Sequence, residues 1–386
     1  MIKNLIKKFI PEPLLKTYHF CLAFLGSFLY RFPSKEIIVV GVTGTSGKST
    51  VVELISCILE QAGFKTASLS SVKFKMADKE EKNELKMTMP GRFKIQGFLR
   101  NSVGAGCKYV VLEVTSEGIK QYRHKFIDFK IAVFTNLSKE HIESHKGFDN
   151  YKKAKAELFK TCKDIHVINK DDENYNYFWQ IPAKNKISFS KNEFSKFLPE
   201  DIKMLGEFNK YNALAATKTA LTLGVSLDIC QKAIKEFKGL EGRMEIVSQK
   251  PLVIVDYAHT PEQLKRVYET IKGNKICVLG SCGGGRDKWK RPVMGKIAQE
   301  YCEKVIITNE DPYDEDPEEI INQVAGDTTA EKILDRKEAI KRALSLANPN
   351  NAVIITGKGS EPWMCIKGGK KIPWDDRKIA KQELAK

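Results

Sequence analysis

Residues 41–50, GVTGTSGKST, form a glycine-rich turn between a continuous apolar run and an amphipathic segment. This order of strand, turn and helix is typical of a phosphate-binding loop, in which glycines let the backbone approach phosphates and helix N-terminal amides point at the anion. Lys48 can reach the terminal phosphates, and the Ser49 hydroxyl can ligate Mg²⁺. Val42 stands where the common spacing has glycine, so the loop is a variant. The turn predicts a chain that binds a nucleoside triphosphate.

Short apolar runs rich in β-branched residues recur along the chain, each followed by a helical or polar segment. They lie at 109–114, 131–137, 166–169, 252–258, 276–280, 305–309 and 352–357. Such runs alternating with helices indicate parallel sheets covered on both faces. We therefore predict an α/β protein in which a central P-loop domain with a mostly parallel sheet precedes a C-terminal Rossmann-like α/β domain.

The length of 386 residues suggests two or three domains at about 150 residues each. A stretch punctuated by glycine and proline at 239–251 marks one boundary. We predict an N-terminal helical segment over 1–35, the central domain over 36–243 and the C-terminal domain over 244–386.

Composition limits the class of protein and the kind of partner. Charged residues make up 29% and apolar residues 42%, which excludes disordered, collagen-like and disulfide-scaffold chains. The nine cysteines are odd in number, scattered and never in a CxxC pair, which indicates a reduced, cytosolic compartment and argues against structural zinc. The formal net charge of +16 favours anionic partners: nucleotides, phosphorylated substrates, nucleic acid or an acidic membrane surface.

The first residues differ from the rest of the chain. Residues 1–16 contain Lys3, Lys7, Lys8 and Lys16, whereas residues 17–30 contain no charged residue. The uncharged stretch is shorter than the roughly 20 residues that span a bilayer, and no signal-peptide cleavage site follows. Two interpretations stay open: a helix packed on the protein's own body, or an interfacial helix resting on an anionic leaflet.

Glu113 ends the apolar run at 109–114. A carboxylate at the carboxyl end of a strand beside a phosphate-binding loop is where a Mg²⁺ ligand belongs. The alternative is a strand-end glutamate that faces solvent.

Seven further motifs follow the loop in order, and together with it they resemble the Mur ligase family from about residue 36 to 365. They are NLSKEHIESH (136–145) with YKKAKAELF (151–159), LGEFNKYNALAA (205–216), GLEGRMEIV (239–247), VDYAHTP (255–261), GSCGGGRDKWKRPVMG (280–295) and ITGKGSE (355–361). The chain is most similar to the branch that adds the third stem-peptide residue to a UDP-N-acetylmuramoyl dipeptide.

The resemblance implies an acid–amino-acid ligase of peptidoglycan biosynthesis, which serves cell-wall formation, cell shape and division. In that chemistry ATP phosphorylates a substrate carboxylate to an acyl phosphate, an amine attacks it, and an amide, ADP and phosphate result. Catalysis there rests on positioning and on neutralising the charge of the transferred phosphoryl group. It also implies that nucleotide binds between two domains that close on each other.

The catalytic residues that the resemblance implies are Lys48, Glu113, His141 and Lys155. One Mg²⁺ would be held by Ser49 and Glu113, and a second by His141 and Lys155. A free ammonium cannot ligate a cation, and the family's matching lysine is carbamylated by CO₂. Without the resemblance, Lys155 would be a solvated residue of an amphipathic helix and His141 an ordinary histidine.

The resemblance also assigns the nucleotide site. Its residues are Gly44, Thr45, Ser46, Gly47, Lys48, Ser49, Thr50, Asn136, Asn209, Arg243, Asp256 and His259. Asn209 matches the adenine-side residue, Arg243 a phosphate contact at the domain hinge, and Asp256 the carboxylate that takes the ribose hydroxyls. The alternatives are a helix-capping amide at Asn209 and turn chemistry at Asp256 and His259.

Substrate residues follow from the same motifs. The muramoyl-peptide end would contact Thr88, Thr115 and Ser116, and the incoming amino acid Arg286, Asp311, Tyr313, Gly357 and Glu361. Members that take meso-diaminopimelate carry an arginine where this chain has Tyr313. Since a bidentate carboxylate partner is missing, this departure argues against meso-diaminopimelate. Glu310 and Asp311 favour an amino acid with a distal amine, such as lysine.

Relatives also carry an N-terminal domain that grips uridine diphosphate, whereas residues 1–35 are too few for one. The acceptor is therefore expected to be UDP-linked or lipid-linked, with a membrane surface as a further partner and no nucleic acid. The expected location is the cytoplasm, at the inner face of the membrane in the lipid-linked case. The alternatives are a folylpolyglutamate- or cyanophycin-type ligase, a basic P-loop ATPase acting on nucleic acid or a membrane partner, and a non-catalytic binding protein.

Overall fold

The computed structural model describes residues 11–85 and 87–386. The predictions for Lys3, Lys7 and Lys8 lie outside these residues. The chain divides into two compact units. The first holds the residues up to Leu137 with Asp149–Ile202 and Lys210–Phe237, and the second holds Ser138–Phe148, Lys203–Asn209 and Lys238–Lys386. The domain boundaries at 35/36 and 243/244 stay predictions.

The first unit contains an eight-stranded sheet. Its strands are β1 (Ile38–Thr43), β2 (Thr66–Leu69), β3 (Lys73–Met76), β4 (Lys79–Lys82), β5 (Tyr109–Glu113), β6 (Phe129–Phe134), β7 (Ile165–Asn169) and β8 (Asn185–Phe189). They lie in the order β4-β3-β2-β5-β1-β6-β7-β8. All neighbours are parallel except β2, β3 and β4, which meander antiparallel at one edge. β1 lies between β5 and β6, so the loop after β1 opens at the edge where ligands bind in such sheets.

The second unit contains a six-stranded sheet and a separate antiparallel hairpin. The strands are β9 (Glu245–Gln249), β10 (Leu252–Asp256), β11 (Asn274–Leu279), β12 (Lys304–Thr308), β13 (Glu331–Ile333), β14 (Asn351–Thr356), β15 (Trp363–Ile366) and β16 (Lys370–Pro373). The sheet order is β13-β12-β11-β14-β10-β9, parallel except for β9. β15 pairs with β16.

Helices connect the strands in both units. The α-helices are α1 (Glu12–Leu29), α2 (Lys48–Gln61), α3 (Arg92–Gly104), α4 (Ser116–Lys120), α5 (Ile142–His145), α6 (Phe148–Thr161), α7 (Tyr175–Trp179), α8 (Phe194–Phe197), α9 (Glu207–Thr222), α10 (Leu227–Glu236), α11 (Pro261–Thr270), α12 (Lys290–Tyr301), α13 (Pro317–Ala325), α14 (Arg336–Ser345) and α15 (Asp376–Leu384). Short 3-10 turns lie at Pro33–Lys35, Lys191–Glu193 and Lys367–Gly369.

Both faces of the second sheet are covered by apolar side chains. Ile254 of β10 packs in one core cluster with Leu264 of α11, whereas its neighbour Val253 packs in another with Ile340 of α14. Successive side chains of a strand point to opposite faces, so helices lie on each side of the sheet. The predicted α/β fold with mostly parallel sheets is confirmed.

α1 is bound to the first unit by one face. α1 packs against α3 at Gly26, where a Cβ would be in ordinary van der Waals contact with Phe93 at 3.6 Å. Ser27 Oγ donates to Phe126 O at 3.2 Å. The large side chains on the other face are exposed. No helix within the described ranges has the length and apolar character needed to cross a membrane.

A disulfide joins Cys277 of β11 to Cys302, with the two Cα atoms 6.1 Å apart. The spacing of the cysteines gave no sign of this pair. The cysteine pattern indicated a reduced compartment, in which such a pair is uncommon. The pair is possible because the fold places the strand and the end of α12 within bonding reach.

A buried ion pair ties the last helix to the second unit. Arg336 Nη2 donates to Asp376 Oδ2 at 2.7 Å, and both side chains are fully buried. Arg336 Nη2 also donates to Thr356 O at 2.7 Å, and Trp374 Nε1 donates to Asp376 Oδ1 at 2.8 Å. Each buried charge therefore has an opposite charge as its partner and at least one further hydrogen bond.

We expect Asp376→Asn to lower the free energy of unfolding of the second unit by about 3–5 kcal/mol, because the Arg336 charge would stay buried without a counter-charge. Urea unfolding measures this change. The matched control is Glu338→Gln, which removes an exposed ion pair with Lys341 and should cost less than about 0.5 kcal/mol. A change of equal size in the two variants would contradict the prediction.

Candidate active site

Two glycines of the loop after β1, Gly44 and Gly47, lie too close to neighbouring residues to carry a side chain. A Cβ at Gly44 would lie 1.9 Å from Thr135 Oγ1, and a Cβ at Gly47 would lie 2.3 Å from Asn212 Oδ1. Gly47 also has a φ of +79°, which side chains rarely adopt. The turn therefore needs glycine at both positions, and it delivers the chain directly into the first turn of α2.

The end of β6 holds this loop in shape. Asn136 Oδ1 accepts hydrogen bonds from Ser46 N at 3.0 Å and Ser46 Oγ at 3.1 Å, and Asn136 O accepts one from Thr45 N at 2.8 Å. Thr135 Oγ1 donates to Ser46 O at 2.7 Å. Asn136, predicted as a nucleotide residue, thus fixes the conformation of the loop itself.

Lys48, Ser49 and Thr50 begin α2, whose first amides have no partner within the helix. Lys48 Nζ donates to Thr45 O at 2.9 Å and lies 3.9 Å from Glu113 Oε1. Thr50 is buried in the same turn. The loop and the helix N-terminus therefore offer backbone amides and one ammonium group to an anion.

Ser49 and Glu113 are brought together at the carboxyl ends of neighbouring strands. Ser49 Oγ donates to Glu113 Oε2 at 2.7 Å, and both residues are buried. Ser71, which the sequence did not single out, donates its backbone N–H to the same oxygen at 2.9 Å, and the Ser49 and Ser71 hydroxyls are 2.8 Å apart. The predicted hydroxyl–carboxylate pair is present, and these oxygen donors are those that Mg²⁺ prefers.

Lys155 is not solvated. Its side chain lies within the first unit at 2% exposure, and Nζ donates to Gly44 O at 2.6 Å. Nζ lies 4.5 Å from the centre of the Tyr151 ring, whose hydroxyl is 3.1 Å from Thr45 Oγ1. α6 thus buries a lysine and a tyrosine directly against the phosphate-binding loop.

The residues predicted for the muramoyl peptide also lie in the first unit. Thr115 caps α4 by accepting a hydrogen bond from Gly118 N at 3.1 Å, and Ser116 is buried behind it. Thr115 N–H faces Met89 Sδ at 3.4 Å, and Thr88, next to Met89, is half-buried. The two predicted segments are therefore neighbours.

His141 belongs to the second unit, where it lies beside an anionic centre. Glu140 Oε1 is 2.8 Å from His259 Nε2 and 3.7 Å from His141 Nε2. Burial alone would raise the pKa of Glu140, but the charge of His141 and the hydrogen bond and charge of His259 hold it well below its usual range. Lys290 Nζ donates to His259 O at 2.8 Å. The sequence placed His259 near phosphates and did not predict its pairing with Glu140.

Asp256 ends β10 and is almost fully buried. Its Oδ1 and Oδ2 accept the backbone N–H groups of Ala258 and Met244, each at 2.7 Å. Burial raises its pKa, an effect that the nearby Arg243 charge and these N–H groups oppose. The guanidinium of Arg243 lies 4.0 Å from the centre of the Tyr257 ring. Asp256 thus anchors the two loops that present Arg243 and His259.

Asn209 and Asn212 lie on α9, one in each unit. Asn209 Nδ2 donates to Leu205 O at 2.7 Å, which ties the first turn of α9 to the residues before it, whereas Asn212 lies against Gly47 in the first unit. This contact is not a helix cap, because a capping side chain accepts from a backbone N–H. The predicted role of Asn209 beside adenine stays a prediction.

Asp311 already has a cationic partner. Lys358 Nζ, fully buried, donates to Asp311 Oδ1 at 2.9 Å and to Glu361 Oε2 at 2.5 Å. Burial would lower the pKa of Lys358, but the charges of Glu361 and Asp311 hold it well above its ordinary value. Tyr257 Oη donates to Glu361 Oε1 at 3.2 Å. Lys358, which the sequence analysis did not single out, therefore joins two of the predicted amino-acid residues.

Glu310 lies beneath Gly357. Its Oε1 accepts a hydrogen bond from Cys282 Sγ at 2.9 Å, whereas the buried Oε2 has no partner. A Cβ at Gly357, whose φ is +109°, would lie 2.1 Å from Oε2. Burial and the Glu310 charge hold the pKa of Cys282 well above its usual range. Position 357 therefore requires glycine, because any side chain there would clash with the Glu310 carboxylate.

Arg286 is exposed on the glycine-rich loop after β11. Tyr313 packs against the same loop, since a Cβ at Gly284 would lie 2.7 Å from its ring. The predicted residues Arg286 and Tyr313 are therefore close together.

The structure thus gathers Lys48, Ser49, Glu113 and Lys155 around one loop in the first unit, which also holds the residues predicted for the muramoyl peptide. The second unit holds His141, the other predicted nucleotide contacts (Asn209, Arg243, Asp256 and His259) and the residues predicted for the incoming amino acid. In the parts of the chain that the structure describes, no three His, Cys, Asp or Glu side chains come together as a metal-binding group.

Two family matches cover most of the chain. The Mur ligase middle domain matches residues 42–220, and the Mur ligase glutamate ligase domain matches residues 242–359. The match begins in the glycine-rich loop and ends within the GKGSE motif, which are the segments that carry the geometry above.

Individual relatives agree with these matches. A UDP-N-acetylmuramoyl-L-alanyl-D-glutamate–2,6-diaminopimelate ligase of Syntrophomonas wolfei is 38% identical over 94% of this chain and 81% of its own length. A UDP-N-acetylmuramyl-tripeptide synthetase of Roseiflexus is 32% identical over 97% of this chain and 84% of its own.

Solved structures share the fold. A UDP-N-acetylmuramoyl-L-alanyl-D-glutamate–2,6-diaminopimelate ligase, 28% identical, superposes with a TM-score of 0.59 over 90% of this chain and 78% of its own. A folylpolyglutamate synthase of Mycobacterium tuberculosis, 14% identical, has a TM-score of 0.67 over 90% of this chain and 96% of its own, which shows a shared fold alone. The resemblance predicted from the sequence is confirmed, and the chain belongs to the Mur ligase family of ATP-dependent acid–amino-acid ligases.

Proposed function

We propose that the protein joins an amino acid to a muramoyl-peptide precursor of peptidoglycan, with ATP converted to ADP and phosphate. The observation that carries the proposal is the buried pair of Ser49 and Glu113, 2.7 Å apart, beside Lys48 at the glycine-rich loop. The names of the relatives supply the substrate class, since they act on muramoyl peptides and add the third residue.

The loop would hold the triphosphate. Its amides at the start of α2 point at the anion, and Lys48 needs only to exchange its bond to Thr45 O for a phosphate oxygen. Ser49 and Glu113 would hold Mg²⁺, since a hydroxyl and a carboxylate at this edge fit an oxygen-preferring cation. Bound Mg²⁺ neutralises charge on the β- and γ-phosphates.

The chemical steps follow from this placement. A carboxylate oxygen of the muramoyl peptide attacks the γ-phosphorus and ADP leaves, which forms an acyl phosphate. The amine nitrogen of the amino acid then attacks the acyl carbon, the amine loses a proton and phosphate leaves. The residues of the chain bind and orient the reactants, and we assign no side chain as a covalent nucleophile.

Lys155 is proposed to carry a carbamate. The ammonium group would first lose a proton, and the neutral nitrogen would then attack CO₂ and lose a second proton. The product replaces a cation by an anion able to ligate a second Mg²⁺ with His141. Support comes from its burial and its 2.6 Å contact with Gly44 O, which place the nitrogen at the loop and away from solvent.

The second unit would supply the other contacts to nucleotide and amino acid. We propose that Asn209, Arg243, Asp256 and His259 contact the nucleotide. The exposed guanidinium of Arg286 would receive a carboxylate of the incoming amino acid, beside Tyr313. Asp311 is neutralised by Lys358, so its proposed part is to position Glu361 and Gly357 through that lysine.

Thr88, Thr115 and Ser116 would contact the muramoyl peptide, which we propose to be UDP-linked or lipid-linked. We further propose that the enzyme works in the cytoplasm, at the inner face of a membrane when its acceptor is lipid-linked. The surface that supports this location is α1.

We expect Lys48→Ala to abolish turnover, a loss of more than about 10³-fold in kcat, because no other side chain of the loop neutralises the transferred phosphoryl group. Phosphate release with ATP, amino acid and muramoyl peptide measures it. Lys65→Ala, which removes an exposed lysine, should keep wild-type turnover. Turnover retained in Lys48→Ala would overturn the assignment of the loop.

We expect Lys155→Ala to lose activity and to regain part of it with added acetate or propionate, because a small carboxylate can replace the carbamate. Sodium chloride at the same ionic strength should give no rescue. Lys160→Ala on the same helix removes an exposed lysine and should stay active without additive. A fully active Lys155→Ala enzyme would refute the carbamate role.

Tyr313 sets the expected choice of amino acid. With no guanidinium at this position, we expect turnover with L-lysine to exceed that with meso-diaminopimelate by about tenfold or more. Phosphate release across both substrates measures the ratio. Tyr313→Arg should shift the ratio toward meso-diaminopimelate and Tyr313→Phe should not. A wild-type preference for meso-diaminopimelate, the substrate in the relatives' names, would show that Tyr313 does not decide specificity.

A further inference from the structure

α1 presents large apolar side chains to solvent along its outer face. Leu14, Tyr18, Leu25, Phe28 and Leu29 are 45–62% exposed, and we call these five residues the α1 outer face. Leu14, Tyr18, Leu25 and Leu29 follow the helical repeat, so they share one side. Single exposed apolar residues are ordinary on a protein surface, whereas a continuous row of them marks a surface that contacts something.

Aromatic residues widen this face on one side. Phe20 and Phe24 are each 46% exposed, and their ring centres lie 5.1 and 5.4 Å from that of Phe126. Phe126 is fixed to the opposite, packed face through the bond from Ser27 Oγ to its carbonyl oxygen. The apolar surface therefore belongs to a helix that is anchored to the body, and its exposure does not come from a detached segment.

The segment that contains α1 is strongly cationic in sequence, and three of its cations are among the described residues. Residues 1–35 contain six lysines and arginines and one acidic residue. Lys16 is exposed near the N-terminal end of α1, on another side of the helix from Leu14 and Tyr18. Arg31 and Lys35 are exposed just beyond the C-terminal end. A row of apolar side chains with cations near its ends is complementary to a partner that has an apolar interior beneath a negatively charged surface.

We propose that the α1 outer face rests on an anionic lipid bilayer. Helices with this pattern lie in the interface, with apolar side chains among the acyl chains and lysines at the headgroups. A second copy of the chain is a poorer occupant, because pairing through this face would bring two clusters of cations together. The inference does not rest on the ligase chemistry.

The test is flotation of the full chain with vesicles of equal parts phosphatidylglycerol and phosphatidylcholine, compared with vesicles of phosphatidylcholine alone. We expect binding to the anionic vesicles and weaker binding when sodium chloride rises from about 0.1 to 0.5 M, because salt screens the headgroup charge. Leu25→Glu with Leu29→Glu should weaken binding at least about tenfold, since two apolar side chains no longer leave water.

The matched control is Leu334→Glu with Ile372→Glu, which adds the same charge at residues of the second unit that are 44% and 38% exposed. It should bind vesicles as the wild type does. Equal thermal unfolding of both variants and the wild type shows that each is folded, and ATP hydrolysis reports separately on the proposed function.

Four results would overturn the inference. The first is no binding of the wild type to anionic vesicles, and the second is an equal loss of binding in the two double variants. The third is equal binding to both kinds of vesicle. The fourth is a concentration-dependent dimer in sedimentation that Leu25→Glu with Leu29→Glu abolishes while vesicle binding is unchanged, which would assign the face to a second copy.

Discussion

Close packing at two glycines determines the conformation of the phosphate-binding loop, on which the part of the site in the first unit depends. Gly44 lies against the Thr135 hydroxyl and Gly47 against the Asn212 amide, closer than a side chain would permit. The end of β6 and α9 enclose the turn in this way, and Asn136 accepts the amides of Thr45 and Ser46. The amides offered to an anion are therefore those at the N-terminal end of α2. Lys48, Ser49 and Glu113 then meet at one edge because β1 and β5 are neighbours.

The sequence was sufficient for those parts of the site that follow from local order. A strand followed by a glycine-rich turn and a helix can adopt few backbone conformations. The carboxyl ends of parallel strands meet at one edge of the sheet, so the order of residues along the chain was enough to predict that Ser49 lies near Glu113. Buried strands were recognisable as continuous β-branched runs. The regular alternation of strands and helices was enough to predict the α/β fold class.

The remaining contacts depend on segments far apart in the chain. Lys358 pairs with Asp311 across 47 residues, and Glu140 pairs with His259 across 119. Neither pair has a spacing that a sequence pattern could show. Asp311 is an example. Its carboxylate suggested a contact with the distal amine of a substrate, whereas in the fold it is paired with Lys358 of the chain itself. Lys155 shows the same limit, since an amphipathic helix does not reveal which of its lysines is buried.

The antiparallel edge of the first sheet has a consequence for behaviour at high concentration. β4 consists of Lys79, Glu80, Glu81 and Lys82, all exposed, and Glu80 is tied to both Lys73 and Lys75 of β3. A strand from another copy that added to this edge would have to strip water from charges of both signs. The charged β3–β4 hairpin therefore disfavours aggregation through this edge of the sheet.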